Sequence, residues 1–98
     1  MAETAISRRI IERIAIDAIR QVSHSRISGD GGVRAIADGR GAYELAIDVV
    51  VELEALPTAA DDLRTSIRAS AERHGLADHM GDIDVTVVDL REPEPGRR

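Results

Sequence analysis

Residues 42–55, AYELAIDVVVELEA, alternate between apolar and mostly acidic side chains along almost their whole length. Successive side chains of an extended chain point to opposite faces, so the apolar residues at odd positions from Tyr43 to Leu53 share one face. The alternation predicts a long β-strand with one buried and one solvated face. Such a strand needs other elements to cover its apolar side, and this requirement constrains the fold more than any other feature.

Two helices are predicted to provide that cover. The first runs from Ser7, its N-cap, to Val22, with apolar residues recurring every three or four positions. The second lies in LPTAADDLRTSIRASAERHG (56–75), with Thr58 predicted as its N-cap and Gly75 as a left-handed residue at its C-terminal end. Both are amphipathic, which is typical of helices packed on a sheet.

Two further strands are predicted at 33–38 and 82–90, and the polar, glycine-rich segment 23–32 is predicted as a loop. The order α-β-β-α-β gives an α+β fold. We expect a small three-stranded, mainly antiparallel sheet with both helices on one face. We expect residues 1–90 to form a single domain and 91–98, REPEPGRR, to form a disordered charged tail.

The composition excludes several classes of protein. The chain has 98 residues, no cysteine, one aromatic residue and a net charge of -5. The negative charge disfavours a general binder of nucleic acid or of an anionic membrane. The N-terminus does not have the pattern of a secretory signal, and no apolar run is long enough to insert into a bilayer. All thirteen basic residues are arginines, a composition typical of a GC-rich, actinobacteria-like genome.

Acidic residues of the long strand are the first candidates for chemistry. Glu52 and Glu54 are two positions apart, about 6.6–7 Å in a strand, which falls within the carboxylate spacing of glycosidases. A general acid also needs a raised pKa, which an open sheet face does not provide. We therefore interpret the row, with Asp48, as a solvated face on which Arg34 pairs with one of the acids. No Ser–His–Asp grouping is evident in the sequence, and no catalytic residue is assigned.

A metal site is the second candidate, with His74, His79 and Asp82 as weak ligand candidates. Zinc requires three or four converging ligands, which these residues supply only if their loop curls back. The alternative is a helix-end histidine and an unrelated loop histidine. No cofactor is predicted.

Apolar residues on faces expected to be wet are the third candidate. Ile16 projects from the polar side of the first helix, and Val50 and Val88 lie on the solvated sides of their strands. They indicate contact with a protein partner, self-association included, although scattered surface apolar residues are equally common. If Ile16 is exposed, Ile16→Asp should leave stability nearly unchanged.

Four segments together resemble a known family: ISRRIIERIAIDAIRQV (6–22), YELAIDVVVELE (43–54), LPTAADDLRTSIRASAERHGL (56–76) and IDVTVVDL (83–90). Their order, with the Ile-Ser start and the Gly-Leu step, is similar to the alkaline-shock-protein family of bacterial envelope-stress proteins. The chain departs from that family at Val22–Ser25, where a Val-Gly-Val-like step is usual, and in a longer link at 75–83.

The resemblance implies a non-enzymatic, cytoplasmic protein that associates with itself and is held at the inner face of the membrane by a membrane-anchored partner. It further implies a scaffold role in envelope stress, without catalytic residues. The alternatives are a small-ligand or metal-binding accessory domain at the loop around His74 and, less favoured by the acidic sheet face, an RNA-binding module.

Overall fold

The structure is a computed structural model, and it describes residues 5–92. The chain forms two α-helices and four β-strands, with short 3-10 turns at Leu53–Ala55 and Ala77–His79. The elements are α1 (Arg8–Arg20), β1 (Ser25–Ile27), β2 (Val33–Ala37), β3 (Tyr43–Glu52), α2 (Leu56–Arg73) and β4 (Met80–Arg91). The predicted α+β class is confirmed.

All other strands pair with β3. β1 and β2 lie end to end along one edge of it and run antiparallel, with Arg26 opposite Val50 and Ala35 opposite Leu45. β4 lies along the other edge and runs parallel. The sheet is therefore three positions wide, as predicted, but it contains four strands. The prediction of a loop over 23–32 was wrong in part, because Ser25–Ile27 form β1.

The break between β1 and β2 is anchored at both ends on Asp48. The Ser28 N–H donates to the Asp48 carbonyl over 2.9 Å, and the Asp48 N–H donates to the Gly32 carbonyl over 2.8 Å. A Cβ at Gly32 would lie 2.6 Å from Ile27 Cγ2 and 2.7 Å from the Ser28 carbonyl oxygen. Residues 28–32 thus form a loop that leaves the edge of the sheet and returns to it, which we call the excursion. Only glycine fits at position 32, where the loop returns close to Ile27 and Ser28.

β4 is parallel to β3 because α2 carries the chain back across the sheet between them. Gly75 ends that helix with φ of 70°, as predicted. Its N–H donates to the Glu72 carbonyl and the Leu76 N–H donates to the Ala71 carbonyl, which is the Schellman arrangement. Thr58 is not the N-cap, because the helix begins two residues earlier at Leu56 and Pro57 occupies its first turn.

Both helices pack on one face of the sheet, as predicted, and the odd-numbered residues of β3 point toward them. Tyr43, at the start of β3, donates its hydroxyl to the Ile6 carbonyl over 2.8 Å. The largest fully buried side chains are Ile11, Ile19, Leu45, Ile47, Val49, Val51, Leu63 and Ile67. Aliphatic residues alone therefore fill the centre of the core.

The last strand is longer than the predicted 82–90, since β4 runs from Met80 to Arg91. The rest of the predicted tail, from residue 93 onward, lies outside the described residues. Neither α1 nor α2 is long and apolar enough to cross a membrane.

Candidate functional site

The acidic row of β3 lies on the sheet face away from the helices. Asp48 pairs with Arg34, with Nη1 and Oδ2 3.2 Å apart, which confirms the predicted cross-strand partner. Glu52 lies 3.8 Å from an Arg91 guanidinium nitrogen. Glu54 falls beyond the end of the strand in an exposed 3-10 turn, so the extended spacing assumed for Glu52 and Glu54 does not apply. The carboxylates are solvated and partly paired, as the sequence indicated.

The three weak metal-ligand candidates do not converge. His74 donates from Nδ1 to the Ser70 carbonyl at the end of α2, and His79 donates from Nδ1 to the Gly41 carbonyl in the β2–β3 turn. Asp82 is exposed on β4. Over residues 5–92, no group of three or more histidine, cysteine, aspartate or glutamate residues could hold a metal ion. The loop does not bring the two histidines together, because each is bonded to a different part of the backbone.

A Ser–His–Asp chain of hydrogen bonds is present that the sequence analysis missed. His24 contacts the Ser25 hydroxyl through Nδ1 at 2.6 Å and the Asp62 carboxylate through Nε2 at 2.9 Å. Thr58 donates its hydroxyl to the same Asp62 oxygen over 3.2 Å. Asp62 is 38 residues from His24, so no local spacing could have revealed this group.

This hydrogen-bonded group connects β1 to α2 and does not present a nucleophile. A catalytic serine must reach a substrate carbonyl beside oxyanion-stabilising donors. Ser25 is only 6% exposed and lies on β1 opposite Val51, in the core layer. His24, immediately before β1, is bonded to the first half of α2. The arrangement therefore ties the start of the edge strand to the helix that follows β3.

The three predicted contact residues differ in exposure. Val88 is 47% exposed, in agreement with the prediction. Val50 is 8% exposed, flanked in register by Arg26 and Asp89 on the two neighbouring strands. Ile16 is half-buried and packs against the core, where it faces Ile27 and the loop 28–32. The expected exposure was therefore wrong for Val50, which lies between two neighbouring strands, and only partly right for Ile16, whose inner side packs against the core.

Val88 belongs to a larger apolar surface, which we call the β4 patch: Leu56, Val87, Val88 and Leu90. These residues, with Asp89, line one open depression of about 370 Å³. Leu56, Val88 and Leu90 are each 41–47% exposed and make up three of the six large exposed apolar side chains of the described chain. The clustering of half of them at one place distinguishes the patch from scattered surface apolar residues.

The patch adjoins the free edge of β4, which is covered along only half its length. Arg68 donates to the Gly81 carbonyl over 3.2 Å and Arg64 donates from Nε to the Ile83 carbonyl over 2.9 Å. From Val85 to Leu90, the one side-chain bond to the backbone of this edge among residues 5–92 is local: the Leu90 N–H donates to the Asp89 carboxylate over 2.8 Å. An uncovered strand edge offers unpaired N–H and C=O groups to another chain.

The opposite edge of the sheet is blocked. The Glu12 carboxylate on α1 accepts the Ala35 N–H of β2 over 2.9 Å. The excursion at 28–32 also interrupts that edge. Among the described residues, the uncovered half of β4 is thus the longer free stretch of sheet edge, and the exposed β4 patch adjoins it.

No family model, curated protein or solved structure matches the chain. The fold and the surface define an α+β domain with an open acidic sheet face and an apolar patch along one sheet edge.

Proposed function

We propose that the chain is a non-enzymatic interaction module that binds proteins, copies of itself included, through the β4 patch. The observation that carries this proposal is the coincidence of the exposed Leu56, Val88 and Leu90 with the uncovered half of the β4 edge. Apolar side chains provide the area that becomes buried on association, and the strand edge provides directional hydrogen bonds.

The charge distribution supports a protein partner over a nucleic acid. The net charge is -5, and the open sheet face carries Glu44, Asp48 and Asp84. Two of the arginines on that face, Arg34 and Arg91, are paired with carboxylates. A phosphate backbone would meet net repulsion at this surface, whereas a polypeptide partner would not.

The cellular part of the proposal rests on the sequence resemblance at 6–22, 43–54, 56–76 and 83–90. On that basis the module acts in the cytoplasm, at the inner face of the membrane, as a scaffold of the envelope stress response. A membrane-anchored partner protein would hold it there.

A capture experiment with a matched variant tests the binding surface. Immobilised wild-type chain and Val88→Asp are incubated with soluble and detergent-solubilised membrane fractions of the native host, and bound proteins are identified by mass spectrometry. The control is Ile36→Asp, which places the same charge at a side chain 55% exposed on the outer sheet face.

We expect wild type and Ile36→Asp to capture the same proteins, and Val88→Asp to lose them. Recovery of the lost proteins from the membrane fraction would support the cellular part of the proposal. If all three forms capture identical sets and the wild type remains monomeric at millimolar concentration, the β4 patch is not an interaction surface.

A further inference from the structure

We propose that two copies of the chain join antiparallel through their β4 edges, so that one sheet continues across a two-fold axis centred between Val87 and Val88. This inference rests on the proposed function and names a second copy as the partner and the residues that meet. It follows from the hydrogen-bonding phase of β4, its bulge, its charges and the blocked opposite edge.

The first step is the direction of the backbone groups. The Gly81 and Ile83 carbonyls bond to arginines of α2, so they point away from β3. From Ile83 to Val87, β4 pairs with β3 without a register shift, and backbone groups along such a strand alternate in direction with a period of two. The N–H and C=O groups of Val85 and Val87 therefore also point to the free edge, where no arginine covers them.

The second step is the bulge. Val49 pairs with Val87, but Val50 pairs with Asp89, so Val88 is an extra residue in β4. An extra residue reverses the phase of the strand beyond it. Leu90 consequently places its backbone groups on the free edge, as Val85 does; its N–H donates to the Asp89 carboxylate over 2.8 Å, a bond that strand pairing would replace. An antiparallel partner can bond to both only if Val85 of one copy lies opposite Leu90 of the other.

The third step is the side chains that this register brings together. Asp84 lies opposite Arg91 of the second copy on the outer face, and Thr86 lies opposite Asp89. On the helix-facing side, Val85 meets Leu90, and the two β4 patches adjoin across the axis. In this register, residues of opposite charge face each other and apolar residues face each other. Both kinds of pair stabilise neighbouring strands. A parallel, in-register partner would instead place Asp84 beside Asp84 and Asp89 beside Asp89.

The fourth step is the absence of a competing edge. Glu12 and the excursion at 28–32 block the β1–β2 side. A head-to-tail contact between the two different edges would require that side and would generate open filaments. With one edge available, pairing of like edges closes into a dimer.

Charge exchange tests the register. Asp84→Arg alone would place two arginines opposite each other at both ends of the interface, and Arg91→Asp alone would place two aspartates there. By sedimentation equilibrium, we expect each single variant to dimerise at least about tenfold more weakly than wild type. An equimolar mixture should form heterodimers with affinity close to wild type, since every opposed pair is then Arg with Asp.

Because Arg91 also donates to the Ser23 carbonyl, Arg91→Asp could destabilise the fold, and a second test avoids this residue. The chain has no cysteine, so Thr86→Cys and Asp89→Cys each introduce a single exposed thiol. Facing residues in a non-hydrogen-bonded antiparallel pair have Cα atoms about 4.5 Å apart, within disulfide range. Mild oxidation of the mixture should give a disulfide-linked heterodimer, whereas Thr86→Cys mixed with Ile36→Cys should not.

The outcomes separate the two proposals. The β4 pairing would be overturned if both charge variants still dimerise and the mixed Thr86→Cys and Asp89→Cys chains give no disulfide-linked heterodimer. That result would not contradict the proposal that the chain is an interaction module. A wild-type monomer at millimolar concentration would overturn the pairing as well. Capture of other proteins that Val88→Asp abolishes would then show that the module binds partners other than itself.

Discussion

Glu12 shows at the residue scale how one carboxylate can close a sheet edge. The sequence places it on the polar side of α1, where it pairs at best with Arg8 across one helical turn. In the structure its Oε2 accepts the Ala35 N–H of β2, which points away from β3. A backbone donor at a packed edge loses water on folding, so the carboxylate replaces a hydrogen bond that would otherwise be missing.

Glu12→Ala should therefore destabilise the fold by about 1–3 kcal/mol, because it leaves the partly buried Ala35 N–H without its acceptor. Glu12→Gln keeps an acceptor oxygen and should lose less than half as much. Urea denaturation followed by circular dichroism measures both. Glu72→Ala, at an exposed position of α2, is the control and should change stability by less than about 0.5 kcal/mol. Equal losses for the two alanine variants would contradict this role of Glu12.

The contact between His24 and Asp62 makes a second residue-scale prediction. A double-mutant cycle with His24→Ala and Asp62→Ala should give a coupling energy of about 0.5–1 kcal/mol, limited by the exposure of the carboxylate. Asp61→Ala replaces Asp62→Ala in the control cycle, because Asp61 pairs with Arg64 and not with His24. Coupling within error of zero in the first cycle would mean that the contact does not tie β1 to α2.

At the scale of elements, strong local signals were sufficient for β3 and for the end of α2. Alternation over ten residues identified the central strand, and Gly75 marked the C-terminal cap. β1 could not be predicted, because three residues carry no periodicity and pair only once β3 is in place. Val50 and Ile16 were misplaced for the same reason: their cover comes from elements distant in sequence.

The phase of α1 gives the sharpest test at this scale. The sequence placed Ile16 in solvent, whereas Ile16 packs against the core and Ile10 is the exposed isoleucine of α1, at 44%. Ile16→Asp should therefore destabilise by about 1–3 kcal/mol, because it replaces a half-buried side chain packed against the core with a carboxylate. Ile10→Asp should cost less than about 1 kcal/mol, since the charge lies in the first turn of the helix, where it is favourable. Thermal denaturation of the two variants in parallel measures which isoleucine is the more buried. A larger loss of stability for Ile10→Asp than for Ile16→Asp would support the helix orientation expected from the sequence.

At the scale of the whole molecule, the proposed function rests on the difference between the two edges of the sheet. The β4 patch was only partly visible in the sequence. Val88 was identified, and the Val87–Val88 doublet that breaks the alternation was a signal of the bulge. Leu56 and Leu90 joined the patch only because α2 returns the chain to a parallel strand, which places the start of the helix beside the end of β4.

The two arginines of α2 that cover the first half of β4 carry the last prediction. Removing both, with Arg64→Ala and Arg68→Ala, exposes the Gly81 and Ile83 carbonyls and extends the free edge along nearly the whole strand. A longer uncovered edge permits pairing in more than one register, so we expect larger, polydisperse assemblies in place of a closed dimer.

Light scattering during size-exclusion chromatography measures this change. Arg40→Ala with Arg73→Ala is the control, because it makes the net charge more negative by the same two units while leaving β4 covered. The control should behave as wild type, and the thermal transition should show that both double variants remain folded. If the Arg64 and Arg68 variant keeps the wild-type mass distribution, α2 does not protect the edge, and the limit on assembly must come from the bulge at Val88 alone.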